Sequence, residues 1–274
     1  MTRAHLGSLL DVTGSSVTFV GGGNMGSALV GGLINSGWEP AIITVAEISP
    51  DRRAELRRLF PEIAVIETPE SCESAVIAVK PPAALEACVS AVAAGARRIV
   101  SIVAGISSSA LQGASGNPVA IIRAMPNTPA LVGKGACAIS SSANCLESDI
   151  AWAEDILGSV GTVVRVPESQ LDAVTAVSGS GPAYVFLLAE ALISEAVSQG
   201  LAPDVADGLV RQLFVGSAAL LSASPETPAV LRERVTSPDG TTWAAIGALE
   251  QAGFRQAIAA AVSAAVRRSR EMGA

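Results

Sequence analysis

The chain has very few side chains that could donate or accept a proton near neutral pH. Its 274 residues include one histidine, His5, one tyrosine, Tyr184, and two lysines, Lys80 and Lys134. An enzyme that oxidises an alcohol needs a positioned base for the hydroxyl proton, commonly His, Lys or Tyr. The scarcity therefore disfavours alcohol oxidation. If the chain transfers a hydride, the acceptor is expected to carry its proton already, as a protonated imine does.

Cysteines and aromatic residues are also few. The four cysteines, at positions 72, 88, 137 and 145, have no C-x-x-C spacing and apolar neighbours, so we expect buried free thiols, no metal site and no redox pair. Aromatic residues make up 3% of the chain, whereas alanine and glycine are abundant, which favours closely packed helices over a core of large rings.

Charge and hydropathy restrict the partners. The net charge is -7 and the arginines are scattered singly or in pairs, which disfavours a nucleic-acid partner because such binding needs a basic surface. No uninterrupted apolar run approaches the ~20 residues of a membrane-spanning helix, and the first residues lack the layout of a signal peptide. We therefore expect no membrane association and a cytoplasmic location.

Short apolar, β-branched runs alternate with helical patterns over residues 16–166. This alternation predicts an α/β, Rossmann-type doubly wound parallel sheet covered by helices, preceded by a tail at residues 1–15. Helices are predicted over residues 24–36 and 50–59, the second with Ser49 as its cap. The predicted strands are residues 16–20, 42–46, 63–66, 75–79, 98–103, 119–124, 136–140 and 162–166.

After residue 166 the pattern contains helices alone. The sequence predicts an all-α domain at residues 167–274, whose last helix has a broad apolar face. About 100 residues can barely bury so much apolar surface alone, so a homodimer that shares these helices is expected. The predicted helices are residues 182–198, 204–222, 228–234, 241–251 and 254–271.

A glycine-rich turn follows the first strand. Gly21, Gly23 and Gly26 have the G-x-G-x-x-G spacing, and a helix begins at once, which is the context expected of a dinucleotide-binding turn. The first glycine permits the tight turn, the second lets the main chain approach a pyrophosphate, and the third allows the helix to pack on the strand.

The residues at the end of the second strand could determine whether the chain binds NAD or NADP. Glu47 could accept hydrogen bonds from the ribose hydroxyls of NAD, whereas Ser49, Arg52 and Arg53 could hold the extra phosphate of NADP. The two arginines could equally form a solvated helix face. Both NADPH and NADH therefore remain candidates.

Other strand ends carry candidate site residues, because ligands of open α/β sheets lie at the carboxyl ends of the strands. Lys80 follows the fourth strand, Ala104 the fifth, and the segment 123–129, with Asn127, the sixth. In the helical part, residues 178–184 and 235–242 place hydroxyls at helix N-termini, where a carboxylate is favoured. Ordinary surface and capping roles are the alternatives at each of these places.

Together these segments resemble pyrroline-5-carboxylate reductase, a family that reduces a cyclic imine with NADPH or NADH in the final step of proline biosynthesis. The resemblance extends from Val17 to about Ala259, and residues 178–184 and 236–242 are its most distinctive parts.

The resemblance implies dimers interlocked through the C-terminal helices and assembled into a larger ring, such as a decamer. It also implies that the 237–242 loop of a neighbouring subunit holds the substrate carboxylate, with Thr242 near the ring nitrogen. The expected catalytic residues are Thr242 and Lys80, and the expected substrate-binding residues are Ser178, Ser237, Gly240, Thr241 and Thr242. The expected cofactor-binding residues are Gly21, Gly22, Gly23, Asn24, Met25, Gly26, Glu47, Ser49, Ala78, Val79, Lys80, Pro81, Ala104 and Asn127.

The chain departs from the family in three places. Asp239 stands where the family usually has glycine, so its side chain is expected to point away from the carboxylate site. Pro225 replaces an acidic residue of some relatives, so no catalytic carboxylate is expected there. The tail before Ser16 is longer than the family needs.

The sequence lacks the motifs of two other dehydrogenase classes. Short-chain dehydrogenases need Tyr-x-x-x-Lys, but Leu188 stands four residues after Tyr184. Hydroxyacid dehydrogenases of the two-domain kind need a lysine on a helix of the second domain, but no lysine follows Lys134 in this chain. The alternatives that remain are another imine reductase, an enzyme that passes hydride between NADP and a deazaflavin, and a non-catalytic nucleotide sensor.

Overall fold

The computed structural model describes residues 16–116 and 118–273, and the predicted tail with His5 lies outside them. An eight-stranded sheet forms the first part of the fold, in the order β3-β2-β1-β4-β5-β6-β7-β8. All eight predicted strands are present, with ends shifted by at most two residues. The strands are β1 Val17–Val20, β2 Ile43–Ala46, β3 Ala64–Ile66, β4 Ser74–Ile77, β5 Arg98–Ser101, β6 Ala120–Met125, β7 Gly135–Ser141 and β8 Gly161–Arg165.

Helices cover both faces of the sheet, which confirms the doubly wound fold. One buried cluster joins Phe19 to residues of three helices such as Leu33, Leu56 and Trp152, and a second joins Ile77 to two other helices. The helices of this part are α1 Asn24–Asn35, α2 Pro50–Leu59, α3 Ala84–Ala93, α4 Ser108–Ser115, α5 Glu147–Gly158 and α6 Leu171–Val174.

One strand corrects the prediction of a parallel sheet. Strand β7 runs antiparallel to β6, whereas every other neighbouring pair is parallel. The reason is the connection, because only residues 126–134 separate the two strands. A parallel crossover needs a dozen or more residues. Because this connection is shorter, β7 runs antiparallel to β6.

The remaining helices are those that the sequence predicts. Helices α7 and α8 pack on each other, yet among the described residues of both only Ala206 and Val210 are buried. Large apolar side chains are exposed instead, for example 66% of Phe186 and 58% of Leu209. These helices are α7 Gly181–Ser198, α8 Pro203–Ala223, α9 Pro228–Arg234, α10 Thr241–Gln251 and α11 Phe254–Gly273.

Two helical stretches, Glu168–Ser198 and Pro203–Ala223, are long and apolar enough to cross a membrane by length and composition. The sequence contains no uninterrupted apolar run of that length, because charged residues such as Glu190, Glu195 and Arg211 interrupt these helices. The core helix of a soluble protein meets the same criteria of length and composition.

The chain forms two compact units. One ends at Ser180 and includes the chain again from Ala265, and the other is Gly181–Ala264. Within the first unit, Ser269 of α11 donates a 2.7 Å hydrogen bond to Asp172 of α6. The predicted domains, residues 16–166 and 167–274, stay a prediction.

Candidate functional site

The glycine turn between β1 and α1 is shaped for a ligand. Gly21 has φ +103°, and a Cβ there would lie 2.6 Å from the carbonyl oxygen of Ala78. A Cβ on Gly26 would lie 2.5 Å from the carbonyl oxygen of Gly21, whereas one on Gly23 would meet no atom of the described residues within 4 Å. Two glycines are thus required by packing, and the middle one leaves a clear approach to the main chain. These residues fit a dinucleotide pyrophosphate.

The N-terminus of α1 supplies the donors for such an anion. Gly23 is the residue before α1, with no side-chain cap among the described residues, and the first bond of the helix runs from Ser27 N to Gly23 O, 2.9 Å. The main-chain amides of Asn24, Met25 and Gly26 precede that bond, so they are the free donors of the first turn. The helix dipole adds a partial positive charge at the same point.

A cavity of about 500 Å³ adjoins this turn. It brings together six of the expected cofactor-binding residues, namely Gly21, Gly23, Glu47, Ala78, Val79 and Lys80. Lys80 is the single basic side chain among the described residues that line it. The other lining residues were not expected from the sequence; they are Val20, Ala46, Ile48, Glu67, Thr68, Pro69, Ala83, Glu86, Ala87 and Ser90. Residues 67–69 could have been found, because they follow β3, which ends beside β2 at the same sheet edge.

The carboxylate of Glu47 is fixed by two main-chain amides. Gly22 N donates to Oε2 and Ser49 N donates to Oε1, both at 2.9 Å. The Ser49 hydroxyl accepts from Arg52 N at 3.3 Å, so it caps α2 as the sequence predicts. Gly22 is also enclosed, since a Cβ there would lie 2.4 Å from Leu56 Cδ1.

The remaining expected residues of the first unit lie on several loops. Pro81 begins a short helical turn after β4, and Ala104 lies in the turn after β5, next to Gly105, which packs against Met272. Asn127 donates through Nδ2 to the carbonyl and hydroxyl oxygens of Ser178, at 3.2 and 3.3 Å. Its Oδ1 accepts from Ala136 N of β7 at 2.9 Å, so this side chain joins the β6–β7 connection to β7 and to the helical segment Thr175–Gly179, in which Ser178 lies.

A charged cluster supports these loops. Glu168 Oε1 accepts from Ser108 N and from Arg123 Nη1, each at 2.8 Å, and its Oε2 accepts from Ser108 Oγ at 2.5 Å. Burial would raise the pKa of Glu168, but the hydrogen bonds from Ser108 and the charge of Arg123 outweigh it and lower the pKa. Arg123 and Glu168 therefore fix the strand that leads to Asn127. No pattern in the sequence predicts the contacts among Ser108, Arg123 and Glu168.

The second unit holds the other expected residues, at the N-terminus of α10. Gly240 is the residue before the helix, with no side-chain cap among the described residues, and its N donates to Ser237 O at 3.1 Å. Thr241 and Thr242 form the first helical positions, so their hydroxyls and the free amides share one helix end. Asp239 has φ +57°, the one described residue other than glycine in that region, and it is exposed.

The part of the chain that the structure describes contains no group of three or more His, Cys, Asp or Glu side chains that could hold a metal ion. The expected absence of a metal stays a prediction.

Known proteins resemble the chain over nearly its whole length. Residues 168–272 match the family model described as pyrroline-5-carboxylate reductase dimerisation, and residues 16–105 match one described as NADP oxidoreductase, coenzyme F420-dependent. The pyrroline-5-carboxylate reductase of Synechocystis sp. is 43% identical over 93% of this chain and 97% of its own.

Solved structures agree with these matches. A pyrroline-5-carboxylate reductase from Coxiella burnetii has a TM-score of 0.88 at 33% identity and covers 95% of this chain and 99% of its own. Pyrroline carboxylate reductase from Plasmodium falciparum, solved with NADP bound, has a TM-score of 0.84 at 29% identity and covers 96% and 99%.

Proposed function

The chain belongs to the pyrroline-5-carboxylate reductase family, and from this premise we propose that it reduces 1-pyrroline-5-carboxylate to L-proline with NADPH or NADH, the final step of proline biosynthesis. The observation that carries the proposal is the glycine turn, where packing requires Gly21 and Gly26 while Gly23 stays open beside a cavity. A cytoplasmic location is part of the proposal.

The first unit positions the nucleotide. We propose that the amides of residues 24–26 hold the pyrophosphate and that Glu47, Ala78, Val79 and Pro81 line the rest of the site, with Ser49, Ala104 and Asn127 supporting its loops. When bound, the reduced nicotinamide supplies the hydride. Lys80 contributes the cation of the cavity and is retained as a catalytic candidate.

The helix end at α10 is proposed to hold the substrate. The amides and hydroxyls of Ser237, Gly240, Thr241 and Thr242 can donate to the carboxylate, and the helix dipole favours an anion there. We assign the contact with the ring nitrogen to the Thr242 hydroxyl, and Ser178 is kept as a further substrate contact. Because the imine nitrogen arrives protonated, the chain supplies orientation rather than a strong acid.

A homo-oligomer completes the proposal. The exposed apolar side chains of α7 and α8 need a cover, and the match of residues 168–272 to a dimerisation family supports a second copy in that role. We propose that the copies interlock through the C-terminal helices, that each 237–242 loop serves a neighbouring subunit, and that dimers form a ring such as a decamer.

A steady-state assay tests the function. Purified protein with 1-pyrroline-5-carboxylate is expected to consume NADPH or NADH and to release proline. Protein that binds either nucleotide but reduces no cyclic imine would contradict the proposal and favour a sensor. Thr242→Ala is expected to lower kcat by at least tenfold while the Kd for the nucleotide changes less than twofold, because Thr242 lies on the substrate-binding helix end. Unchanged kcat would remove Thr242 from the mechanism.

A further inference from the structure

The carboxylate of Glu47 occupies the position that distinguishes the two nucleotides. In Rossmann folds, an acidic side chain about twenty residues past the glycine turn accepts hydrogen bonds from the ribose hydroxyls, whereas a free arginine accommodates a 2′-phosphate. Here Glu47 lines the cavity, and the amides of Gly22 and Ser49 fix both of its oxygens. The carboxylate cannot swing away to admit a phosphate without breaking both hydrogen bonds.

The nearest cations are already engaged with the protein. Arg52 donates through Nε to Gly22 O at 2.6 Å and through Nη2 to Ser27 Oγ at 2.7 Å, and its Nη1 pairs with Glu55 at 2.5 Å. All three nitrogens of its guanidinium thus have acceptors. Arg52 is absent from the described residues that line the cavity.

Arg53 is engaged in a similar way. Its Nη1 donates to the carbonyl oxygens of Glu47 and Ile48 at 2.8 and 2.9 Å, and its Nη2 pairs with Glu67 at 3.3 Å. Only 14% of the Arg53 side chain is exposed, and it too is absent from the described cavity lining. Both arginines are thus engaged in several hydrogen bonds within the protein, and neither belongs to the described lining of the cavity.

The charge of the cavity points in the same direction. Among the described residues, its lining carries the carboxylates of Glu47, Glu67 and Glu86 and a single cation, Lys80. A 2′-phosphate would add up to two negative charges beside these carboxylates. A ribose with free hydroxyls would instead donate to Glu47. Charge and hydrogen-bonding capacity both favour the nucleotide without the phosphate.

We propose that Glu47 makes this chain prefer NADH over NADPH. The proposal rests on the proposed function for the identity of the reaction, but it concerns the adenosine end of the nucleotide. It therefore predicts a binding preference that can be measured without turnover.

The wild-type protein gives the first test. We expect kcat/KM with 1-pyrroline-5-carboxylate to be at least tenfold higher for NADH than for NADPH. Calorimetry is expected to show the same order for ADP-ribose over 2′-phospho-ADP-ribose, which lack the nicotinamide. Equal affinities, or tighter binding of the phosphorylated ligand, would overturn the proposal. If ADP-ribose binds preferentially but neither nucleotide reduces the imine, the proposed function fails and the assignment of Glu47 stands.

The second test is Glu47→Gln, which keeps the shape and one amide acceptor but removes the charge. It is expected to reduce the NADH-to-NADPH ratio of kcat/KM by at least tenfold, with weaker NADH binding and stronger NADPH binding. Glu62→Gln is the matched control, because Glu62 is exposed between α2 and β3, at the amino end of the strands, whereas Glu47 follows the carboxyl end of β2. An unchanged ratio in Glu47→Gln would overturn the proposal. The wild-type affinities decide the matter if this variant does not fold.

Discussion

Two alanine substitutions in the glycine turn should separate nucleotide binding from folding. A Cβ on Gly23 would meet no other atom within 4 Å in the part of the chain that the structure describes, and the φ and ψ of Gly23, -65° and -173°, are accessible to alanine. The gain from a stiffer unfolded chain and the loss from a poorer helix cap are both small and opposed. We therefore expect Gly23→Ala to change the free energy of unfolding by less than about 0.5 kcal/mol.

Gly26→Ala should behave in the opposite way. Its Cβ would lie 2.5 Å from the main-chain oxygen of Gly21, about 0.9 Å closer than the 3.4 Å at which ordinary contact begins. Neither atom is the end of a flexible side chain, so α1 must move away from the turn. Forcing an extra methyl group into a packed site costs about 1–3 kcal/mol. For a chain of this size, that corresponds to a Tm lower by roughly 3–10 °C.

Gly23→Ala, which should leave the free energy of unfolding almost unchanged, should weaken nucleotide binding. The methyl group of Gly23→Ala would stand where the pyrophosphate reaches the amides of α1, so the Kd for NADH should rise at least tenfold, or about 1.4 kcal/mol. Thermal unfolding and titration of NADH fluorescence measure both quantities. A stable Gly23→Ala protein with wild-type affinity would refute the placement of the pyrophosphate, and a Gly26→Ala protein with wild-type Tm would refute the packing argument.

Three further predictions follow from the site and the helices. Asp239→Gly should raise the free energy of unfolding by about 1 kcal/mol, because Asp239 has φ +57°. The same variant should lower KM for the imine, because it removes a negative charge near the carboxylate site. Asp239→Asn, which removes only the charge, should lower KM alone. Glu168→Gln should destabilise the protein at pH 7 in thermal unfolding, and the difference should shrink below about pH 4.3, since a carboxyl with a lowered folded pKa loses its contribution as it becomes protonated. Leu209→Asp with Leu213→Asp should yield monomers in light scattering, because these side chains are 58% and 53% exposed on one face of α8; wild-type protein that partitions into liposomes would contradict this reading.

The sheet was predictable because its signals are local. Each strand is a short β-branched run, and α2 carries its own start in Ser49 and Pro50, so its bounds are those predicted. The direction of β7 depends on the length of one connection, which the sequence also contains. The sequence did not predict bounds for α3, α4 and α5, because these helices have mixed or alanine-rich faces whose apolar side is defined only by the sheet they cover.

Sequence motifs predict only part of the candidate site. The glycine spacing identifies Gly21, Gly23 and Gly26, but the enclosure of Gly22 depends on Leu56, more than thirty residues away. The contact of Asn127 with Ser178 spans 51 positions. No periodicity or spacing records such contacts, because they arise when strand ends and loops meet in the folded chain.

The buried thiols add to the scarcity of side chains that could transfer a proton at neutral pH. Burial raises the pKa of Cys88 to about 11 and that of Cys137 to about 12, and it also raises the pKa of Cys72. These thiols therefore stay protonated at neutral pH and cannot serve as bases or nucleophiles. Within the described cavity lining, Lys80 and the carboxylates are then the ionisable groups that could assist a reaction. Such a site is poorly equipped to remove a proton from an alcohol but well suited to align a hydride donor with an acceptor that is already cationic.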